Sequence, residues 1–111
     1  MTVTVIALLS INEDEPMALA EYFRVTQPLL ERAGAKIVKR FLVNQAVIGP
    51  EPAKTVVLVE YPDMEAVNSV FESPEYQSVI PFRDRAFHFY NITVGADAET
   101  SEPRRAADDR G

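Results

Sequence analysis

Residues 2–11 read TVTVIALLSI, and this stretch decides the fold. β-Branched and leucine side chains follow one another with no polar alternation, the pattern of a strand covered on both sides. The run is about ten residues long, half of the roughly 20 needed to cross a bilayer. No basic segment of the kind that opens a signal peptide precedes it. It reads as a buried strand of a soluble protein.

Downstream, Asn12-Glu13-Asp14-Glu15-Pro16 supplies acids and a proline for a helix beginning near Glu15 or Pro16. Leu19, Tyr22, Phe23, Thr26, Leu30 and Ala33 then recur at helical spacing, with charged residues mainly on the other side. Pro28 falls within that pattern and should bend the helix. Gly34 suits the left-handed position that closes a helix. A second strand is predicted over 35–47, a turn over 48–54, and a third apolar strand over 55–61. Asp63 and the Ser73-Pro74-Glu75 triplet open two further helical stretches, and Pro81 interrupts the second. The last strand is predicted over 87–94, with His88, Tyr90, Ile92 and Val94 on one face.

The order strand, helix, strand, strand, helix, strand is the split βαβ, or ferredoxin-like, plan: an α+β fold with a four-stranded antiparallel sheet. Right-handed crossovers put both helical regions on one face of the sheet. Strands one and three are apolar at nearly every position, so the helix-free face must carry aliphatic side chains as well. Monomers rarely expose such a patch. At roughly 25 cal/mol per Å², covering a few hundred Å² on each partner is worth on the order of ten kcal/mol before association costs. The pattern thus predicts a homodimer formed sheet to sheet.

Apolar residues make up 47% of the chain and charged residues 25%, ordinary values for one globular domain, which we place at 1–95. Residues 96–111 carry eight charges and no large apolar side chain, and read as a flexible tail. Net charge is −6 with no basic cluster, which argues against nucleic acid as a partner. Without cysteine there is no disulfide framework, cysteine zinc site or thiol nucleophile. A small disulfide-free core suits the cytoplasm, and no membrane association is expected.

The stretch Tyr61-Pro62-Asp63-Met64-Glu65-Ala66, then Phe71-Glu72-Ser73-Pro74-Glu75-Tyr76-Gln77 and Arg83, resembles the family catalogued as domain of unknown function 1330. The likeness extends from about residue 3 to Gly95, taking in Gly34, Glu60 and Val94-Gly95. Two positions depart from it: Val70 or Phe71 stands where a tryptophan is usual, and Ala35 replaces one of two paired glycines. The resemblance implies a dimeric α+β barrel with a small pocket between sheet and helices in each subunit. Relatives in that wider superfamily include cofactor-free monooxygenases, cyclases, isomerases and haem-degrading enzymes, so the expectation here is a small oxygenated ligand and no cofactor.

Within that frame Arg83 is placed to hold an anionic oxygen, with an ion pair to Glu60 or Glu75 as the structural alternative. His88, the single histidine, is a proton carrier or a rim residue; it has no second His or Cys for zinc, and haem ligation by it ranks lower. Glu60 could accept a proton if burial raised its pKa. Tyr76 and Tyr22 could bring two hydroxyls together between helices and sheet, or simply fill the core. Phe71 and Ser73, beside Tyr76, are assigned with Tyr22 to ligand contact. No phosphate loop, Ser-His-Asp set or acidic metal cluster is present in the sequence.

Overall fold

The structure, a computed structural model, describes residues 2–96. Its elements are β1 (Val3–Ile11), α1 (Pro16–Arg32), β2 (Lys36–Leu42), β3 (Thr55–Tyr61), α2 (Met64–Phe71), α3 (Pro74–Ser78), α4 (Ile80–Ala86) and β4 (Phe87–Gly95). The strands form one antiparallel sheet in the order β2-β3-β1-β4. This is the ferredoxin-like α+β arrangement. Most of the charged segment predicted from residue 96 onward lies outside the described residues.

Period-two alternation sorts the two faces of the sheet. Val5 pairs with Val59 and Val94, and Ala7 with Val57 and Ile92. These residues face the helices, where Val5, Ala7, Val57, Val59 and Tyr61 join Ala18, Tyr22, Leu29, Val67, Val70 and Val79 in one core. Ile6 pairs with Leu58, and Leu8 with Val56, on the opposite face. At the margins of that face Phe41 and Phe89 are 46% and 48% exposed.

The ends of the helices follow their sequence signals. Gly34 has φ +76, and the Ala35 and Gly34 amides donate to the carbonyls of Leu30 (3.0 Å) and Glu31 (3.1 Å), the two bonds of a Schellman closure. Asp63 Oδ1 accepts the Ala66 amide at 2.8 Å and caps α2. Ser73 caps α3, its Oγ accepting the Tyr76 amide at 3.0 Å and donating to the Val70 carbonyl at 2.7 Å. Glu15 caps α1 by position only, since its side chain makes no cap hydrogen bond.

Three local expectations need correction. β2 ends at Leu42 rather than at residue 47, and 43–54 is a long connection in which Val47 and Ile48 are almost fully exposed. Period-two spacing puts Ile37, Lys39 and Phe41 of that strand on one face, but a one-residue irregularity between Ile37 and Lys39 opposes Ile37 to Val59 and Phe41 to Val56, on opposite faces, and as a sheet edge the strand is exposed throughout. On α1 the buried stripe is Ala18, Tyr22, Thr26 and Leu29, while Phe23 lies outside.

β4 also departs from simple alternation. The register against β1 shifts so that Ser10 opposes Phe89 and Ile11 opposes Phe87, leaving His88 as the extra residue. The bulge turns Phe87 into the core beside Tyr90, with ring centroids 5.1 Å apart, and leaves His88 exposed. Asn12 ties the β1–α1 turn to this corner, its amide donating to the Ala86 carbonyl at 2.8 Å and its side chain to the Arg85 carbonyl at 3.1 Å.

Candidate functional site

Three elements each bring one phenol to a common point. Tyr22 comes from the buried stripe of α1, Tyr76 from α3 and Tyr90 from the helix-facing side of β4. The hydroxyls of Tyr22 and Tyr76 share a hydrogen bond at 3.1 Å, and those of Tyr76 and Tyr90 at 2.8 Å; Tyr22 and Tyr90 are also hydrogen-bonded. The rings meet edge to face, Tyr22 with Tyr76, Phe87 and Tyr90 and Phe71 with Tyr76, the geometry that the ring quadrupoles favour.

Arg83, one turn into α4, covers this cluster. Its guanidinium lies 5.2 Å from the Tyr90 ring centre and 5.9 Å from that of Tyr76, and Nη1 donates to the Tyr76 hydroxyl at 3.4 Å. Nη2 and Nε face Asp84 at 3.2 and 3.3 Å. The structural partners proposed for Arg83 from sequence are not formed: Glu75 pairs instead with Arg32 at 3.7 Å, and Glu60 lies on the other side of the sheet.

Beside the cluster is a recess of about 370 Å³ lined by Tyr76, Gln77, Arg83 and Tyr90 and, on its apolar side, by Val67, Phe71, Ile80, Ile92 and Val94. Gln77 Nε2 donates to the Phe71 carbonyl at 3.1 Å and holds the α2–α3 corner in place. A second recess of about 300 Å³ lies in the 43–54 connection, with Glu51 and Lys54 paired at 3.1 Å in its lining. The first combines a cation, hydroxyls and an apolar wall. It is the better candidate.

Burial, reinforced by the neighbouring phenols, pushes the Tyr22 hydroxyl well above the usual tyrosine range. Tyr90 is raised by burial and by Tyr76, against the opposing effects of the Tyr22 hydrogen bond and the Arg83 charge. Tyr61 is pushed up to about 12 by burial and by Tyr76. Tyr22 and Tyr90 are therefore neutral hydrogen-bonding groups at physiological pH, unable to serve there as phenolate bases. Burial opposes the Arg83 charge, but the contacts to Tyr76 and Asp84 outweigh it and leave Arg83 above its ordinary value.

Of the residues singled out in the sequence, Arg83, Tyr76 and Phe71 line the recess, and Tyr22 touches it only through the other two phenols. Ser73 acts on the site through the backbone, as the cap that starts the helix carrying Tyr76. Glu60 does not join them: it falls on the helix-free face, in the row Lys36, Glu60, Thr4, Gly95. His88 stands exposed at the β4 bulge and is not a lining residue. Tyr90 was not among the residues assigned to the site. Its signal was the alternation Tyr90, Ile92, Val94 on the last strand, which places it on the face that the helices cover.

Solved structures share this fold. A protein of unknown function from Rhodopseudomonas palustris matches with a TM-score of 0.74 at 23% identity, over 88% of this chain and 83% of that one. SnoaB, a cofactor-independent oxygenase from Streptomyces nogalater, matches with a TM-score of 0.58 at 14% identity, over 93% and 98%. A dimeric protein of unknown function and ferredoxin-like fold from Bacteroides fragilis matches with a TM-score of 0.52 at 13% identity, over 85% and 94%. No curated protein matches the chain. The family model for the domain of unknown function DUF1330 covers residues 3–96, and the chain belongs to that family.

Proposed function

We propose that this protein is a cytoplasmic homodimer whose subunits each bind a small, partly apolar, oxygenated molecule in the recess beside Arg83, and act on it without a cofactor. The observation that carries this reading is the convergence of three phenol hydroxyls beneath one guanidinium at the edge of an apolar recess. Hydrogen-bond donors aimed at a developing oxyanion stabilise negative charge on a substrate oxygen, as isomerisation, cyclisation or enolate formation requires. Arg83 and Tyr76 are the residues in contact with that oxygen, with Tyr90 beside them. Phe71 supplies apolar contact, while Tyr22 and Ser73 position Tyr76. Among the described residues no helix is long and apolar enough to cross a membrane.

The helix-free face supports the dimer. Ile6, Leu8, Val56 and Leu58 form its apolar centre, flanked by Phe41 and Phe89 and by the polar Lys39, Asn91 and Thr93, and an uncovered apolar centre of this kind is uncommon on a monomer. One observation favours a second reading, binding without turnover: neither a carboxylate nor an imidazole lines the recess among the described residues. The common fold with SnoaB is compatible with either.

A thermal-shift screen of small aromatic acids, lactones, enols and haem tests the proposal, because a ligand selective for the folded state raises Tm by mass action. A chemically related set of hits, lost in Arg83→Ala, is expected. Turnover assays on those hits then separate the two readings, and ligands that bind Arg83→Ala with unchanged affinity would refute the site.

A further inference from the structure

We infer that the recess takes its ligand as a monoanion, an oxyanion on an apolar body held between the Arg83 guanidinium and the hydroxyls of Tyr76 and Tyr90. This rests on the recess being the binding site, and adds the charge and class of the ligand.

The count of protons decides between a charged and a neutral ligand. Each phenol has one proton to donate, and three hydroxyls make three mutual contacts. The cluster is thus a closed triangle that uses all three protons. A ligand oxygen gains a phenol donor only if one O–H turns out of the triangle, which breaks a neutral hydrogen bond. A carbonyl or alcohol exchanges one neutral bond for another and gains little. An oxyanion forms a charge-assisted bond roughly twice as strong, so it alone gains clearly from opening the triangle. Two of the three bonds then remain, and Tyr22, buried and absent from the lining, takes part in at least one of them and acts as a positioning residue.

The surrounding charges agree. Among the described residues Arg83 is the one charged residue in the lining. Its Nη1 faces the Tyr76 hydroxyl, while Nε and Nη2 face Asp84. The Asp84 side chain is 64% exposed, so solvent screens its repulsion of an incoming anion. The other titratable groups at the site are the phenols themselves, with Tyr61 next to Tyr76. One cation matches one negative charge, which disfavours dianions such as phosphate monoesters. The wall of Val67, Phe71, Ile80, Ile92 and Val94 offers nothing to a polyol. What fits is a phenolate, an enolate or a carboxylate on a single ring or short chain.

The experiment uses para-nitrophenol, whose neutral and ionised forms differ in colour, and its methyl ether para-nitroanisole, which has nearly the same shape and cannot ionise. With the full-length protein, the bound phenol should ionise at least one pH unit below the free one, and the phenolate should bind at least tenfold more tightly than the ether. Arg83→Met should abolish both effects with its near-ultraviolet circular dichroism preserved, and Arg83→Lys should restore part of them. The double variant Tyr76→Phe/Tyr90→Phe, which leaves no phenol donor in the lining, should reduce the acidity shift. Equal binding of phenolate and ether, or a bound phenol that stays neutral, would overturn the anion while leaving the recess as a binding site. An acidity shift that persists in Arg83→Met would overturn the assignment to Arg83. If neither probe binds and the thermal-shift screen is flat, the anion and the recess fall together.

Discussion

The hydroxyls of Tyr22 and Tyr76 meet at 3.1 Å although the residues are 54 positions apart in the chain. One comes from the long first helix and the other from a five-residue helix, so their contact joins the two halves of the fold at the candidate site. Removing only the Tyr22 oxygen leaves Tyr76 and Tyr90 to satisfy each other at 2.8 Å. Tyr22→Phe, which removes two hydrogen bonds, should therefore cost about 2 kcal/mol at the usual net worth of roughly 1 kcal/mol each. Tyr22→Ala, which also loses the ring packed on Phe87, should cost about 3–5 kcal/mol. Urea denaturation of both variants checks the difference.

The buried phenols make stability sensitive to alkaline pH. An unfolded tyrosine titrates near 10, and Tyr22, Tyr61 and Tyr90 are all raised in the folded state. The native state thus holds protons that the unfolded chain gives up. Their contribution is complete below about pH 10 and is lost as pH rises further, at up to about 1.4 kcal/mol per pH unit for each phenol. Tyr61 stops adding to the slope above its own value of about 12. Denaturation midpoints against pH should show this decline, and Tyr90→Phe should flatten it. Full phenolate absorbance near pH 10 in protein that is still folded would contradict the prediction.

Gly34 and Gly49 both have positive φ, but their surroundings differ. A Cβ on Gly34 would lie 3.2 Å from Pro62 Cγ, whereas one on Gly49 meets nothing within 4 Å. Gly34→Ala should lose about 1–2 kcal/mol to left-handed strain, with a further penalty from Pro62. Gly49→Ala, in the exposed 43–54 connection, should lose less because that segment can relax. Tm values of the two variants should rank in that order.

Leu58 lies at the middle of the helix-free face, opposite Ile6. If two copies pair through this face, Leu58→Glu buries a carboxylate at the interface, with only the edge residue Lys39 beside it, and should convert the dimer to a monomer. The fold should persist, since the substitution points away from the core. Sedimentation equilibrium at micromolar concentration reads both proteins, and a monomeric wild type would exclude the pairing.

Much of the fold was legible because its signals are local. The apolar run of β1, the Asp63 and Ser73 caps and the glycine after α1 act within a few residues of themselves. The strand, helix, strand order then leaves few topologies open. The length of β2 was not legible in the same way. Val43 and Val47 continue its apolar character, yet no neighbouring strand pairs with residues beyond Leu42 apart from the Val43 amide donating to the Lys54 carbonyl at 2.8 Å.

For the site, sequence alone determined which residue types were available: one histidine, four tyrosines, no cysteine, and an arginine two turns beyond a capped tyrosine. Tertiary structure decided which of them meet. A single extra residue in β4 sent Phe87 inward and left His88 exposed. Alternation on β3 placed Tyr61 with the core and its neighbour Glu60 on the opposite face. The physical reason is that side-chain direction in a strand reverses at each residue, so the membership of the site depends on register, and register is set by pairing between distant strands.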